Sequence, residues 1–318
     1  MVQNKILVIG HQKASIELFY KSLKYILYDK FYKISYSNDT FIQKKLTDKL
    51  IYNFELKHKN DFKIFHNLSM VITGTSEVYL EKNIWTYCHQ HNLNYAAYVD
   101  STVNIRVRFS NSNIFPKLIL VPDESVIKKI KKFFPNKSKN IKIINIGFIS
   151  HYYLKHKIKK TNKSRKSILY VTSDISIFFE TKLIVKINEY ALENKKKLYV
   201  CIHPRENLKK WKFSLKNFIS IDNINQGKLL QTSKEAHEIY GVSTMALLDM
   251  HIFGKSVFFL DGNQKNSKLH PLFKKYGINS FRFYQNNLIK NKNKNKKNIV
   301  APDRIEVINV FKNIFKEN

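Results

Sequence analysis

Two short segments in the latter part of the chain carry side chains suited to holding an anion. The first, Lys197-Leu-Tyr-Val-Cys-Ile202-His203-Pro204-Arg205-Glu206, is an apolar run that stops at a histidine. A histidine at a strand end, fixed by Pro204 and followed by Arg205, can donate hydrogen bonds to a phosphate or protonate a leaving phosphate oxygen. The second, Glu238-Ile-Tyr-Gly241-Val-Ser243-Thr244-Met-Ala-Leu-Leu-Asp249-Met-His-Ile-Phe-Gly254, reads as strand, turn, helix and glycine stop. Ser243 is the expected N-cap, Gly254 the left-handed C-cap, and Gly241 a point of close backbone approach. A helix opening with Ser-Thr directly after a strand presents unpaired N–H groups, two hydroxyls and a positive dipole end, which suits a phosphate or diphosphate. Thr172 and Ser173, at the end of the run Ser167 to Val171, join them as candidate ligands. Taken singly, each segment also fits an ordinary capped junction. The order His-Pro-Arg-Glu, then Ser-Thr with an acid in the following helix, is what points to chemistry.

Such residues must be held by a sheet. Ile6 to Ile9, Met70 to Ile72, Tyr95 to Val99, Lys117 to Val121, Ser167 to Val171, Lys197 to Ile202, Glu238 to Val242 and Ser256 to Leu260 are short apolar runs that end in Gly, Ser, Thr, Asp, His or Pro. Most are followed by helical periodicity, and strands alternating with helices predict parallel sheets with helices on both faces. The stretch 151–166, which holds His151-Tyr-Tyr-Leu154 and then a basic, polar run from Lys155 to Lys166, interrupts the alternation near the midpoint and reads as a linker. The expected organisation is therefore α/β, with two Rossmann-like domains facing across a cleft: 1–150, the linker 151–166, and 167–318. Ligands of such sheets sit at the carboxyl ends of the strands. Lys290 to Asn298 is low in complexity and reads as an exposed loop, and Pro302 opens a terminal helix with Ile305, Ile308, Phe311 and Phe315 on one face.

Composition narrows the class further. The chain has 318 residues, 43% hydrophobic and 25% charged, enough for packed cores. Its 56 Lys+Arg against 24 Asp+Glu give a net charge of +32, yet only six of the basic residues are Arg. Bidentate readout of bases or phosphates relies on Arg, so this surplus reads as a diffuse positive field attracting anionic substrate or anionic lipid, or else as a mere bias of composition. Two cysteines form no disulfide framework, and no run approaches a membrane span, so a cytoplasmic protein with peripheral contact at the inner membrane face is expected. There is no Walker motif, no Gly-x-Gly-x-x-Gly, no Gly-x-Ser-x-Gly and no Asp-x-Asp. In Cys88-His89-Gln90-His91 only Cys88 and His91 share a helix face, and no further ligand set with zinc spacing accompanies them. No metal and no cofactor is therefore expected.

The pairing of His203-Pro204-Arg205-Glu206 with Tyr240-Gly-Val-Ser243-Thr244-Met-Ala-Leu-Leu-Asp249 resembles the C-terminal half of bacterial surface-polysaccharide glycosyltransferases of the GT-B fold, of the polysialyltransferase and teichoic-acid-polymerase types. In the first half, Val71-Ile-Thr-Gly74-Thr75-Ser76-x-x-x-x-Glu81 and Tyr98-Val-Asp100-x-x-x-Asn104-x-Arg106-x-Arg108-Phe109 are similar to stretches of uncharacterised relatives. The resemblance implies that His203, Arg205, Ser243 and Thr244 hold the phosphate of a nucleotide-sugar donor, which is a substrate and not a cofactor. The acceptor would be a glycan or a lipid-linked glycan. The helix position often filled by a ribose-binding Glu is Asp249 here, a shorter side chain. Inverting transfer needs a carboxylate to take the acceptor proton, and Asp100, which follows a strand directly, is preferred over Glu77 and Glu81. Arg106 and Arg108 read as alternating strand residues, open either to an anionic sugar or acceptor or to solvent. A CDP-polyol phosphotransferase would use the same phosphate-holding pair. A nucleic-acid-binding protein is the alternative outside enzymes, but the basic residues are dispersed and no nucleic-acid motif is present, so no specific nucleic acid is expected.

Overall fold

The computed structural model describes residues 4–10, 13–27, 32–38, 68–75, 79–102, 104–110, 112, 114–149, 152–153, 167–173, 175–204, 206–260, 273, 276–284, 287–292 and 304–316. The chain divides into two compact units, Met1–Lys157 with Val300–Asn318, and Ile158–Ile299. In the first unit β1 (Asn4–Gly10), β2 (Tyr32–Asn38), β3 (Met70–Thr73), β4 (Tyr95–Tyr98), β5 (Leu118–Val121) and β6 (Lys142–Asn145) form an all-parallel sheet in the order β2-β1-β3-β4-β5-β6. Every residue of β3, β4 and β5 is buried, which is why these strands read as continuous apolar runs. One face packs on α1 (Lys13–Ile26) through Ile16, Phe19 and Leu23, the other on α2 (Tyr79–Gln90) through Ile84, Trp85 and Cys88. Two short helices, α3 (Ile105–Phe109) and α5 (Pro135–Ser138), flank α4 (Glu124–Phe133), whose start is capped by Asp123 accepting from the Ser125 N–H at 2.8 Å.

The second unit alternates β7 (Ser167–Val171), α6 (Ile177–Glu193), β8 (Lys197–Ile202), α7 (Leu208–Leu215), β9 (Ile224–Gln226), α8 (Leu229–Glu235), β10 (Glu238–Gly241), α9 (Met245–Ile252) and β11 (Ser256–Leu260), then β12 (Asn279–Tyr284) and β13 (Asn287–Asn291). Its sheet runs β13-β12-β11-β10-β7-β8-β9, with only the β12–β13 pair antiparallel. Counting from β7, the parallel strands lie in the order 3-2-1-4-5-6, that of a doubly wound dinucleotide-type sheet. The chain steps outward from β7 to β9 and then returns to β7's other side as β10. Loops leaving β7 and β10 therefore diverge, and the crevice between them is where such sheets bind ligands. Gly241 makes that pairing tight: a Cβ there would lie 2.7 Å from the Val171 carbonyl oxygen, so only glycine fits.

Two expectations about the chain's end need correction. The terminal helix α10 (Arg304–Lys316) does not complete the second unit but packs on the first, where Val307, Phe311 and Ile314 join Ile6, Phe19 and Leu23 in one core. Arg304 also donates to the Ile26 carbonyl at 3.1 Å. Its buried stripe is rotated from the one read off the sequence, leaving Ile305 exposed. The physical reason is that α1 leaves apolar surface on its sheet face, and an amphipathic helix buries its stripe wherever such surface is free. The boundary between 150 and 167 thus separates the sheets but not the units. Of the expected linker only Tyr152 and Tyr153 are described; Tyr152 is part of the first core, and the Tyr153 N–H donates to Ser22 Oγ at 2.9 Å. Residues 154–166 lie outside the described residues.

Lys290, expected in an exposed loop, lies in β13. Its Nζ donates to Glu238 Oε1 and to Tyr190 Oη, each at 2.7 Å, and stands over the rings of Tyr190, Tyr240 and Phe258. Lys196 approaches Glu238 at 3.5 Å from another side, and Tyr240 donates to Glu238 Oε2 at 2.9 Å. Burial alone would raise the Glu238 carboxyl, but the hydrogen bond and charge of Lys290 outweigh it and hold the group below its ordinary range. Residues 293–298 of the low-complexity run lie outside the described residues. Among the described residues, no helix is long and apolar enough to cross a membrane. Removing Lys290 strands a nearly buried carboxylate. Lys290→Met is therefore expected to cost about 1–3 kcal/mol in urea unfolding at pH 7. The loss should shrink as pH falls, because protonation of Glu238 removes the charge that Lys290 chiefly offset, Lys196 at 3.5 Å and the Tyr240 hydroxyl remaining beside it.

Candidate functional site

Four loops leave the carboxyl ends of β7, β8, β9 and β10, and two adjacent residues tie two of them to β7. Thr172, fully buried, donates its hydroxyl to Glu206 Oε2 and accepts the His203 N–H at 2.7 Å. Ser173 accepts the Ser243 N–H on its Oγ at 3.1 Å. His203 and Ser243, forty residues apart in sequence, are thereby fastened to consecutive residues of one turn. The His203 backbone is fixed twice more, as its N–H also reaches Glu206 Oε2 at 3.3 Å and its carbonyl accepts from Gln226 Nε2 at 2.9 Å. Gln226 donates to the Glu206 carbonyl as well, at 2.8 Å. The half-buried imidazole therefore stands on a backbone with little freedom.

Beneath this turn lies Glu180, in the first turn of α6 and wholly buried. It accepts the Ser173 N–H at 3.1 Å on one oxygen and the Tyr170 hydroxyl at 2.9 Å on the other. Burial pushes its carboxyl up to about 8, against the lowering effect of those hydrogen bonds and with some help from the charge of Glu206. At neutral pH the floor of the turn is thus an uncharged acid, which does not repel an anion placed above it.

The helix α9 begins at Thr244, whose Oγ1 accepts the Ala246 N–H at 3.3 Å. The cap is therefore Thr244 and not Ser243 as expected: it is the Thr244 hydroxyl that accepts from the first turn, while Ser243 lies one residue earlier, its N–H bound to Ser173. Gly254 takes the expected left-handed conformation, φ 79°, just past the helix end. Asp249 is half-buried in the second turn of α9. Thr172 is spent on the two loop contacts and Ser173 on another, so these residues shape the turn. Arg205 and Glu77 lie outside the described residues. The supporting roles of Glu180, Glu206 and Gln226 do not follow from the sequence pattern. The one signal for Glu180 is an acid a turn into the helix that follows a strand.

The first unit builds a different constellation. Arg106 and Arg108 lie on the short helix α3 and not on a strand; Asn104 precedes it with φ 58°, a left-handed start that turns the chain sharply after β4. Arg106 is exposed, whereas Arg108 is buried and donates from one Nη to Asp100 Oδ1 at 2.6 Å, to the Thr75 carbonyl at 3.2 Å and to Thr75 Oγ1 at 3.1 Å. Asp100 keeps 18% of its side chain exposed, so it is oriented by Arg108 yet reachable. Glu81 is buried against the Gly74 backbone, where a Cβ would come within 2.9 Å of its carboxylate. Cys88 is buried and its thiol pushed up to about 12 by that burial, while His91 is exposed. Among the described residues, no three His, Cys, Asp or Glu gather as metal ligands.

No family model matches the chain, and no curated protein matches it. Its fold is nevertheless found among solved structures. A Staphylococcus aureus MnaA–UDP structure superposes with a TM-score of 0.55 at 12% identity, covering 82% of this chain and 80% of that one. A UDP-N-acetylglucosamine 2-epimerase gives 0.56 at 12%, covering 87% and 82%. The wall teichoic acid polymerase TagF soaked with CDPG gives 0.50 at 10%, covering 83% and 72%. At such identities the likeness is one of fold: two parallel-sheet α/β domains of the GT-B kind.

Because the folded protein retains a proton on Glu180 that the unfolded chain releases in the ordinary carboxylate range, stability should fall as pH rises from about 4.5 to about 8 and level off above. Glu180→Gln, which mimics the protonated acid, is expected to flatten that slope and to be the more stable protein at pH 8.5 by on the order of 1 kcal/mol or more. Urea titrations of both proteins across that range check it.

Proposed function

We propose that the chain is a metal-independent transferase that binds a nucleotide-activated donor at the carboxyl ends of β7, β8 and β10 and passes its sugar to a cell-surface polysaccharide or a lipid-linked glycan. The observation that carries this reading is the shared turn: Thr172 and Ser173 hold the His203 loop and the entrance to α9 side by side at the sheet's switch point. Phosphate groups placed there would meet the imidazole, the Ser243 hydroxyl and the positive end of α9, above an acid that is neutral at pH 7. His203 donates to the leaving phosphate, and Arg205 and Asp249 are assigned to the donor with it. Two of the fold relatives were solved with UDP and with CDPG, which lends support to a nucleotide donor.

Asp100 is assigned the role of general base. Arg108 fixes one of its oxygens at 2.6 Å, so the carboxylate has one orientation, and its partial exposure leaves it open to an acceptor hydroxyl. Glu81, wholly enclosed beside Gly74, is a poorer candidate. A second reading, transfer of a polyol phosphate from a CDP donor, is favoured by the likeness to the CDPG-soaked polymerase. It calls on the same phosphate-holding groups, so the products distinguish the two.

A thermal-shift screen against CMP, CDP, UDP and GDP is expected to raise the melting temperature with one base in preference to the rest, and the shift should disappear in His203→Ala and Ser243→Ala. If no nucleotide shifts the melting curve and both variants behave as wild type, the donor site is not there. For the base, Asp100→Asn is expected to lower kcat by roughly 10²–10⁴-fold while leaving the nucleotide shift intact. Equal loss of both would instead assign Asp100 to binding.

A further inference from the structure

The segment 207–221 contains α7 and the turn after it and combines lysines with exposed apolar side chains on its outward face. It carries four lysines, Lys209, Lys210, Lys212 and Lys216, and no aspartate or glutamate. Trp211 and Leu215, four apart, are buried against the sheet. Lys209, Lys210, Phe213 and Lys216 occupy the opposite side at the three- and four-residue spacing of one helix face. Phe213 is 71% exposed with the Lys216 ammonium 4.5 Å from the centre of its ring; Phe218 and Ile221, in the turn that follows, are 49% and 46% exposed. The backbone beneath them is anchored, because Asn188 on α6 donates to the Phe218 carbonyl at 2.9 Å.

We infer that this face docks on an anionic lipid bilayer, with Phe213, Phe218 and Ile221 entering the headgroup–acyl boundary and Lys209, Lys210 and Lys216 meeting lipid phosphates. The charge complementarity is direct: four lysines stand between Glu206 and the exposed Asp222, a net positive stretch that suits a negative surface, and each lysine near such a surface adds to the attraction. Apolar residues among those cations are what separates interfacial insertion from simple attraction. Single-stranded nucleic acid also pairs with lysines and aromatics, but Ile221 offers no ring for a base to stack on, and the segment has no Arg. The inference stands apart from the proposed reaction and would hold for a chain of any catalytic activity.

Co-sedimentation of the full chain with vesicles of phosphatidylcholine, alone or with about 30 mol% phosphatidylglycerol, tests it. Binding is expected only to the anionic vesicles. The Phe213→Ser/Phe218→Ser double variant should weaken it at least tenfold, and Lys209→Gln/Lys210→Gln/Lys216→Gln by a similar factor. A control removing the same charge from the first unit, Lys117→Gln/Lys132→Gln/Lys139→Gln, should change it less than threefold. Phe213→Trp supplies a second readout that does not depend on losing affinity: the emission of the introduced indole should shift to the blue on anionic vesicles and stay in place on neutral ones. The inference is overturned if the control weakens binding as much as the patch variants do, since net charge alone would then explain it. It is equally overturned if the emission of the Phe213→Trp variant does not respond, or if an oligonucleotide binds through Phe213 and Phe218 while anionic vesicles do not bind.

Discussion

The second unit depends on a constraint at the end of β7, where one dipeptide must satisfy two loops at once. Thr172 takes the N–H of His203 and gives its own proton to Glu206; Ser173 takes the N–H of Ser243. Each of these backbone donors lies at a strand end, where sheet pairing has stopped and no intrahelical partner exists, so each would be costly to bury unpaired. Hydroxyl side chains are the smallest groups that accept such a donor and still pass a proton onward. The arrangement needs close strands as well, and Gly241 against the Val171 carbonyl supplies that closeness. Glu180 below completes the support by holding the Ser173 N–H, and it does so as a neutral acid because burial without a cation disfavours its charge.

Much of this was legible in the sequence, for a physical reason. A strand covered on both faces must be apolar throughout, so β3, β4, β5 and β7 announce themselves as uninterrupted runs, and the polar residues that end them mark where the loops begin. That suffices to expect alternating α/β units and to point at His203, Ser243 and Thr244. What the pattern does not carry is partnership at a distance. The return of α10 to the first unit follows from which apolar surface is left free by α1, a property of the assembled sheet. Lys290 sits in a run of Lys and Asn with no local mark of burial, and its place is set by Glu238, fifty-two positions away. Ser243 has the right chemistry for a cap, yet Thr244 caps α9 and Ser243 is instead tied through its N–H to Ser173, a partner seventy positions away. Arg108 looked like a strand residue because Ile105, Val107 and Phe109 alternate with it and Arg106; a left-handed Asn104 starts a short helix instead.

The charge of the chain divides by residue type along the same lines. Arg108, buried, meets Asp100 and two oxygens of Thr75 from a single Nη, so its charge is spent inside the first unit. Several acids are similarly engaged inside: Glu180 and Glu206 under the turn of β7, Glu238 beside Lys290. Acids spent internally leave the surface field to lysines, which makes the outward potential more positive than an even mixing of signs would give. A diffuse field draws in anions but does not orient them. Orientation must come from fixed groups.

The two units supply fixed groups of opposite character. At the end of β7 they are the His203 imidazole and the Ser243 hydroxyl over a buried, uncharged Glu180, with the Glu206 carboxylate tied to Thr172 and the His203 N–H beside them. At the end of β4 the exposed group is a carboxylate held by a buried guanidinium, which offers an acceptor in a single orientation. Glu206, the carboxylate of the β7 turn, is engaged by Thr172 and by the His203 N–H, whereas Asp100, mounted on a separate sheet, keeps part of its carboxylate open. Placing acceptor and donors on different sheets therefore lets each be built with its own support: Arg108 and Thr75 for the one, Glu180, Glu206 and Gln226 for the other. In physical terms, the proposed transferase reading requires just such a division, and a simple binding module would have no use for the first half of it.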